Sequence, residues 1–195
     1  MPEGTTDEGL LHRASRGDET AFLVLYERHR SRTFRFAYRM LGSIELAEDV
    51  THDCFLSLIK QPERFDPARA SLGTYVYAAA RNLALKHFRL QSSEVTVEEA
   101  PRELHLGCVE APLQRLLDEE LSTEVRRAIA TLPPLQREAL ILFEYEELPL
   151  SEIASIVGAD VGTVKSRLHR ARQRMRRLLA PYFKSDLRLI AMEKC

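Results

Sequence analysis

The chain has 195 residues, with 28 Lys and Arg against 29 Asp and Glu and a formal net charge of -1. A hydrophobic fraction of 45% beside 29% charged residues is typical of a folded globular chain, which excludes an intrinsically disordered one. No apolar run approaches the roughly 18 residues that a membrane-spanning helix requires, and the acidic N-terminus does not have the layout of a signal peptide.

Apolar residues recur with a helical period along most of the chain. Asp18 and Ser43 are placed to cap the second and third predicted helices, and Pro62 marks the end of the third. A fourth helix is predicted from about Thr74 to Leu90. No segment alternates convincingly with a period of two, so the sequence predicts no strand.

The helical period stops after Leu90 and returns at Leu113. The segment between them carries Ser, Pro, Gly and scattered acids, and at about 20 residues it is too long for a loop inside one compact domain. The sequence therefore predicts an all-α fold of two small helical domains and a flexible linker. The predicted boundaries are 1–90 for the first domain, 91–112 for the linker, 113–184 for the second domain and 185–195 for a short tail.

The near-zero net charge hides segregation along the sequence. Residues 161–180 hold seven Lys or Arg and no acid, whereas residues 94–124 hold nine acids and two bases. Residues 28–39 hold five Arg and no acid. A basic stripe on a helix is typical of a surface that binds a phosphate backbone, although a solvated helix face gives the same pattern.

Residues 148–168 form the most specific motif. Small Ala154, then Gly158 four residues later and apolar Val164 six residues after that have the spacing of a helix-turn-helix, in which Gly158 takes the left-handed conformation. The second helix of such a motif lies in the major groove. Its outward-facing residues can all donate hydrogen bonds to DNA: Thr163, Lys165, Ser166, Arg167, His169 and Arg170. An ordinary helical hairpin with a basic face is the alternative.

Two groups of segments resemble one known family. Residues 132–138 (LPPLQRE) and 161–172 (VGTVKSRLHRAR) resemble the fourth conserved region of bacterial sigma factors. Three other segments of this chain resemble the second conserved region of the same family: 17–22, 47–55 and 80–84. These two regions, in this order and without others, are the pattern of the extracytoplasmic-function group of the sigma-70 family. The resemblance extends over about residues 7–183.

The resemblance implies an alternative sigma factor that binds core RNA polymerase, carries it to promoter DNA and helps open the duplex. It implies that helix 47–58 docks on a coiled coil of the largest polymerase subunit. The candidate polymerase contacts are Glu48, Asp49, His52 and Asp53. For each acid, complementarity to the helix dipole and solvation is the alternative.

For the minus-ten element, the resemblance implies that loop 65–71 and the following helix hold the non-template strand. The candidate contacts are Tyr75, Tyr77, Arg81, Asn82 and Lys86. A base drawn out of the stack requires hydrogen-bonding groups and aromatic or guanidinium planes, and these residues offer both. Core packing is the alternative for Tyr75. For the minus-thirty-five element, the candidate contacts are the six outward-facing residues from Thr163 to Arg170 given above. Four of them match family contact positions, namely Lys165, Ser166, His169 and Arg170, and plain solvent exposure is the alternative for His169.

Three residues depart from the family pattern: Tyr75 stands where Trp is usual, Lys86 where an acid is usual, and His52 where Gln is usual. These departures put the base preference at the minus-ten element and one polymerase contact in doubt. The resemblance also implies an anti-sigma partner, often a membrane protein. Expected localisation is cytoplasmic, with the nucleoid when bound to polymerase.

Two other functions are alternatives. A stand-alone helix-turn-helix regulator would want a dimerisation element, and none is evident in the sequence. A sigma-like protein that only titrates regulators would lack the basic recognition helix present here.

Other chemistry is not supported by the sequence. Three widely spaced cysteines do not suggest a disulfide framework, and Cys54 is expected to pack as a small apolar residue. His105 and Cys108 have the spacing of two metal ligands but no second pair nearby, so a plain loop is preferred to a metal site. No glycine-rich phosphate loop or nucleophile elbow is present, so neither an enzyme, a cofactor nor a small-molecule substrate is expected.

Overall fold

The first part of the chain folds into four α-helices in the computed structural model, which describes residues 6–93 and 122–192, with side chains for 6–90 and 122–182. The helices are α1 (Asp7–Ala14), α2 (Glu19–Leu41), α3 (Ile44–Lys60) and α4 (Leu72–Ser93), with a 3-10 turn at Pro62–Arg64. Residues 91–93 of the predicted linker belong to α4, and the rest of it lies outside the described residues, as do His105, Cys108 and Cys195.

The second part is also helical. Its elements are α5 (122–130), α6 (Pro134–Glu144), α7 (Leu150–Val157) and α8 (Val161–Met192), the last of which includes most of the predicted tail. No strand occurs in ranges 6–93 and 122–192, and the prediction of an all-α fold is confirmed. Within those same ranges, no helix is both long and apolar enough to cross a membrane.

The predicted helix starts are formed by side-chain caps. The carboxylate of Asp18 accepts a hydrogen bond of 3.0 Å from the Ala21 amide, and the Ser43 hydroxyl accepts one of 3.2 Å from the Leu46 amide. Each bond satisfies one of the amides that a helix N-terminus leaves without a partner. Gly42 ends α2 with φ of 74°, a conformation that favours glycine. The caps predicted from the sequence are thus confirmed.

Two clusters of buried apolar side chains hold the helices together. The first holds the four helices α1, α2, α3 and α4 together and includes Leu10, Leu11, Leu25, Phe55, Leu58, Leu72 and Val76. The second extends from α2, α3 and α4 into the second part of the chain and includes Phe36, Met40, Val50, Ala80, Ala84, Leu132, Ile141, Leu142, Ile153 and Leu168. Burying one large apolar side chain stabilises the fold by about 1.5–3 kcal/mol. Because the second cluster draws on both parts, they pack against each other.

Arg137 makes a polar connection inside this packing. Its side chain is 7% exposed and donates to the carbonyl of Met40 at 2.5 Å and of Leu132 at 3.2 Å, and it also donates to the carbonyl of Ala130. The guanidinium lies 5.0 Å from the ring centroid of Phe88. Burial lowers the pKa of Arg137 to about 10, so it remains charged near neutral pH. Three backbone acceptors thus share one buried cation.

Replacing Arg137 with Met should lower the free energy of unfolding by about 3 kcal/mol, because a buried acceptor left without its charged donor pays its full desolvation cost. The measurement is urea denaturation followed by circular dichroism. Arg174→Met, at an exposed position of α8, is the matched control and should change the free energy by less than about 0.5 kcal/mol. Equal effects of the two substitutions would contradict this role for Arg137.

Cys54 faces the second cluster from α3 with 2% of its surface exposed, as expected from the sequence. Burial, with a smaller effect of Asp53, raises the pKa of its thiol to about 12. Only the thiolate attacks alkylating reagents. This cysteine is therefore protected from them because it is buried and because its thiol stays protonated.

Near pH 8 the thiolate fraction of Cys54 should be only about 10⁻⁴, so iodoacetamide should leave it unmodified in the native protein and modify it in concentrated guanidinium chloride. Peptide mass spectrometry measures the difference. Ser57→Cys, an exposed position on the same helix, is the control that should react at once. Native labelling of Cys54 at the rate of that control would show that α3 is not packed as described.

Candidate nucleic-acid interfaces

The turn between α7 and α8 has the geometry predicted for a helix-turn-helix. Gly158 adopts φ of 63°, and the Ala159 amide donates to the carbonyl of Ala154 at 3.1 Å. Asp160 then caps the start of α8, and its carboxylate accepts from the Thr163 hydroxyl at 2.6 Å and the Thr163 amide at 2.8 Å. These two bonds hold the pKa of Asp160 below its usual value. Buried Ile153 and Val164 close the motif from inside.

The first turns of α8 expose four of the six predicted minus-thirty-five residues: Lys165, Ser166, His169 and Arg170. The Ser166 hydroxyl donates to the Gly162 carbonyl at 3.0 Å, and the His169 ring pairs with the Gln173 amide at 3.0 Å. Thr163 is half-buried and occupied by the cap of α8. The exposed set is a cationic, donor-rich face on the second helix of the motif.

Arg167 is placed differently from its neighbours. It is half-buried, and its guanidinium donates to Oε1 of Glu138 on α6 at 3.0 Å. Glu138 has no solvent exposure and is also bound by Arg81 of α4, with Nε at 2.7 Å from Oε2 and Nη2 at 3.2 Å from Oε1. Burial raises the pKa of Glu138, and both arginines oppose that rise. A predicted minus-ten residue and a predicted minus-thirty-five residue therefore share one carboxylate.

Tyr77 is also covered. Its ring is 6% exposed and packs edge-on against Phe36 with centroids 5.6 Å apart, and its hydroxyl donates to Oε2 of Glu146 at 2.6 Å. Burial, followed by the hydrogen bond to Glu146, raises the pKa of Tyr77. One turn earlier, the Thr74 hydroxyl lies 2.5 Å from Oε1 of Glu152. Two positions on this face of α4 thus contact acids from the second part of the chain.

The remaining predicted minus-ten residues lie elsewhere on α4. Asn82 and Lys86 are exposed, and the Asn82 side chain accepts from Arg81 at 3.2 Å. Tyr75 is half-buried against Phe65, with ring centroids 5.6 Å apart, and burial raises its pKa. Tyr75 therefore packs against a neighbouring ring and is also partly accessible, so its position is compatible with both core packing and a contact to the minus-ten strand.

The predicted polymerase contacts form one surface of α3. Glu48, Asp49, His52 and Asp53 are all exposed, at positions that lie on one face of the helix. A groove of about 530 Å³ separates this face from α2. Its lining from α3 is Glu48, Asp49, Thr51 and His52, and its lining from α2 is Tyr26, Arg30, Ser31 and Phe34. The groove is acidic on one side and aromatic and cationic on the other.

Residues that bridge the two parts of the chain were not identified from the sequence: Thr74, Arg39, Arg137, Glu138, Glu146 and Glu152. Arg39 donates to Glu146 at 3.1 Å and stacks over the Tyr145 ring at 4.4 Å. A signal did exist for Glu138, since it stands on the apolar face of α6 three and four residues before Ile141 and Leu142. A charged residue at such a position requires a partner when buried.

Comparison with family models covers both parts of the chain. The model of Sigma-70 region 2 matches residues 25–94, and the model of Sigma-70, region 4 matches residues 122–175. The first match contains α3, α4 and most of α2, and the second contains the helix-turn-helix. Both candidate DNA surfaces and the α2–α3 groove thus lie inside matched regions.

Among similar proteins, the ECF RNA polymerase sigma factor SigW of Bacillus subtilis is 29% identical over 177 residues, covering 87% of this chain and 94% of that protein. The RNA polymerase sigma-H factor of Pseudomonas aeruginosa is 31% identical over 183 residues, covering 90% of this chain and 94% of that protein. The solved structure of the sigma factor RpoE in complex with the anti-sigma factor NepR from Bartonella quintana has the same fold, with a TM-score of 0.64 at 24% identity over 84% of this chain and 97% of that one. The chain belongs to the extracytoplasmic-function group of the sigma-70 family of bacterial RNA polymerase sigma factors.

Proposed function

We propose that this sigma factor directs initiation through three surfaces of the described helices, two for promoter DNA and one for core polymerase. Promoter-specific initiation is the function of the family, and the assignment of surfaces follows from the exposed residues. The observation that carries the assignment is the cationic face at the start of α8, presented beyond a Gly158 turn of helix-turn-helix geometry.

The α8 face is the proposed minus-thirty-five surface. Arg170 and Lys165 project from exposed positions and supply charge for phosphate or guanine edges, while Ser166 and His169 add shorter donors. The proposed minus-ten surface is α4, where Asn82 and Lys86 are exposed and Tyr75 is partly so. Its other two members, Tyr77 and Arg81, are bound to acids of the second part and have to be released to act there.

The groove between α2 and α3 is the proposed polymerase surface. A helical partner that inserts a cationic or apolar residue would meet carboxylates of Glu48 and Asp49 on one wall and the ring of Phe34 on the other. His52 lines the same groove, and Asp53 extends the acidic face beyond it.

We propose the same domain boundaries that the sequence predicts. Residues 1–90 form the polymerase-binding and minus-ten domain, 113–184 form the minus-thirty-five domain, and 91–112 link them. An anti-sigma protein is the proposed inhibitor, supported by the shared fold of the RpoE structure that contains NepR. The protein acts by binding rather than as an enzyme, in the cytoplasm and at the nucleoid once polymerase is engaged.

Run-off transcription tests this function. Core polymerase alone should give no specific start on a genomic promoter library, and addition of the protein should produce defined transcripts. Glu48→Lys should require at least about tenfold more protein for half-maximal transcript, because it reverses a charge in the polymerase groove. The matched control, Glu45→Lys, alters an exposed acid of the same helix that does not line the groove and should leave the titration nearly unchanged.

Absence of any protein-dependent start would overturn the proposed function. A start that is unaffected by Glu48→Lys would instead remove the groove from the polymerase surface. Tight binding of the protein to duplex promoter without polymerase would favour a stand-alone regulator.

Substitution of Arg170 by Ala tests the α8 face separately. We expect weaker holoenzyme binding to promoter duplex and a plot of log affinity against log salt that is flatter by about one unit, because one phosphate contact releases about one counterion. Fluorescence anisotropy over a series of KCl concentrations gives the slope. Arg16→Ala, which removes an exposed arginine from the turn after α1, is the charge-matched control. Equal slopes for Arg170→Ala and wild type would exclude Arg170 as a phosphate contact.

A further inference from the structure

Two exposed arginines of α8, Arg176 and Arg177, lie outside the set of predicted minus-thirty-five residues. They follow His169 and Arg170 by seven residues, which is about two turns of an α-helix. Each therefore projects from nearly the same side of α8 as its earlier counterpart. At about 1.5 Å per residue, the later pair lies roughly 10.5 Å further along the helix. Arg176 and Arg177, named here the distal pair, thus repeat the direction of two predicted DNA contacts.

Tertiary contacts distinguish the distal pair from other arginines of the same helix. Arg167 donates to Glu138 at 3.0 Å, and Nη2 of Arg172 lies 2.7 Å from Oε1 of Glu144. Both acids belong to α6, so these two arginines help hold α8 against α6. The ion pairs formed among the described side chains include neither member of the distal pair. Acids of the described part of the chain therefore do not neutralise its charge.

Two ordinary reasons for placing cations on a helix do not apply to the distal pair. The helix dipole favours cations only in the last turn, whereas Arg177 lies 15 residues before Met192, at which α8 ends. A neighbouring acid on the same helix would also stabilise them, but residues 161–185 contain no Asp or Glu. Arg172 and Arg176, four positions apart, instead repel each other. An anionic partner would offset this repulsion.

Packing holds the distal pair in a defined position. Leu168, Ala171 and Leu179 are buried, with 4, 0 and 8% of their surface exposed, on the other side of α8. Leu179 comes after both arginines, so the packed side of α8 extends beyond the distal pair. A cation carried by a packed helix loses little backbone freedom when it binds a ligand, and this preorganisation favours binding.

The distance between the two pairs matches the dimensions of the major groove, which is about 12 Å wide and bounded by the two phosphate backbones. In a helix-turn-helix, the N-terminal residues of the second helix contact base edges. In a homeodomain, the C-terminal end of the equivalent helix contacts the backbone. With His169 and Arg170 inside the groove, the distal pair would reach the backbone at the edge of the groove. Guanidinium groups suit that target, since they bind phosphate oxygens through parallel N–H bonds.

We propose that Arg176 and Arg177 bind the phosphate backbone of duplex DNA beside the minus-thirty-five element and thereby fix how α8 is seated in the groove. The proposal rests on the proposed function, because it takes the first turns of α8 as the minus-thirty-five surface. It adds two contacts to the six residues predicted from the sequence. Phosphate contacts position a protein without carrying sequence information. The distal pair therefore raises the affinity for every duplex sequence and sets the register in which Lys165 and Arg170 meet the bases.

The salt dependence of duplex binding tests the distal pair without polymerase. The full chain is titrated into a fluorescein-labelled, mixed-sequence duplex of about 30 bp, and anisotropy is recorded over a series of low KCl concentrations. For Arg176→Ala with Arg177→Ala, we expect a plot of log affinity against log salt that is flatter by about two units, because two phosphate contacts release about two counterions. The matched control, Arg126→Ala with Arg127→Ala, removes the same charge from exposed positions of α5 and should leave the slope nearly unchanged.

Equal slopes for the distal-pair variant and the wild type would overturn the proposal and favour an acidic protein surface as the partner. An equal flattening in the control would also overturn it, because net charge would then explain the effect, and so would wild-type binding too weak to measure at the lowest salt. Arg176→Lys with Arg177→Lys keeps both charges and should retain the wild-type slope. A slope as flat as that of the alanine variant would show that charge at these positions does not contribute to binding.

Neutral phosphates locate the contact in the holoenzyme. Methylphosphonates replace single phosphates on either side of the minus-thirty-five element of a promoter identified by run-off transcription. We expect one or two of them to weaken wild-type binding at least about fivefold and binding of the distal-pair variant less than about twofold, because the variant has already lost the contact. Equal losses for both proteins would overturn the proposal. Failure of run-off transcription would overturn the proposed function, whereas the duplex titration uses no polymerase and reports on the distal pair alone.

Discussion

The buried carboxylate of Glu138 constrains three helices at once. It lies on α6 without solvent exposure. Both of its oxygens accept hydrogen bonds from Arg81 of α4, and Oε1 also accepts one from Arg167 of α8. An ionised group can be buried only where such donors are present, because desolvation otherwise costs several kcal/mol. The positions of α4 and α8 relative to α6 are therefore tied to one side chain. Its neighbour Arg137 does the same for the end of α2, through the carbonyl of Met40.

These polar contacts sit on a continuous apolar cluster that draws from both parts of the chain. Small residues, Ala37, Ala80 and Ala84, have no exposure and allow helices to approach closely enough for Leu and Ile of the second part to pack on them. Burial of apolar side chains stabilises the fold but is not directional. The hydrogen bonds at Glu138 and Arg137 are directional, and they fix which helices face each other. The apolar cluster therefore stabilises the packing of the helices, and the polar bonds specify their arrangement.

The same arrangement divides the predicted site residues into two kinds. Those on the first turns of α8 and on α3 are exposed and charged, and they can meet a partner without any change of shape. Tyr77, Arg81 and Arg167, which are also predicted DNA contacts, have acidic partners inside the molecule. The near-zero net charge thus results from acidic and basic groups in similar numbers on different surfaces. Some of these groups pair with each other inside the molecule. Charge counted over the whole sequence does not distinguish the two kinds.

Local features of this protein were determined by the sequence alone. Asp18, Ser43 and Gly158 specify helix starts and a turn through bonds that span at most a few residues, and the apolar period identifies the helices because it follows directly from backbone geometry. The exposed acids of α3 and the exposed donors of α8 were also predictable, since hydrophilic residues opposite an apolar stripe face solvent. The family resemblance then implied a partner for each of those surfaces.

Only the tertiary structure decided which of the remaining charged residues meet. Arg81 and Glu138 are 57 positions apart, and Tyr77 and Glu146 are 69 apart, so no local pattern connects them. Arg167 fits the outward pattern of a recognition helix, yet α6 packs beside it and offers a buried carboxylate. The sequence determines the period, caps and charges of each helix because these depend on neighbouring residues. It leaves the pairing of distant side chains undetermined, because that depends on how the helices pack.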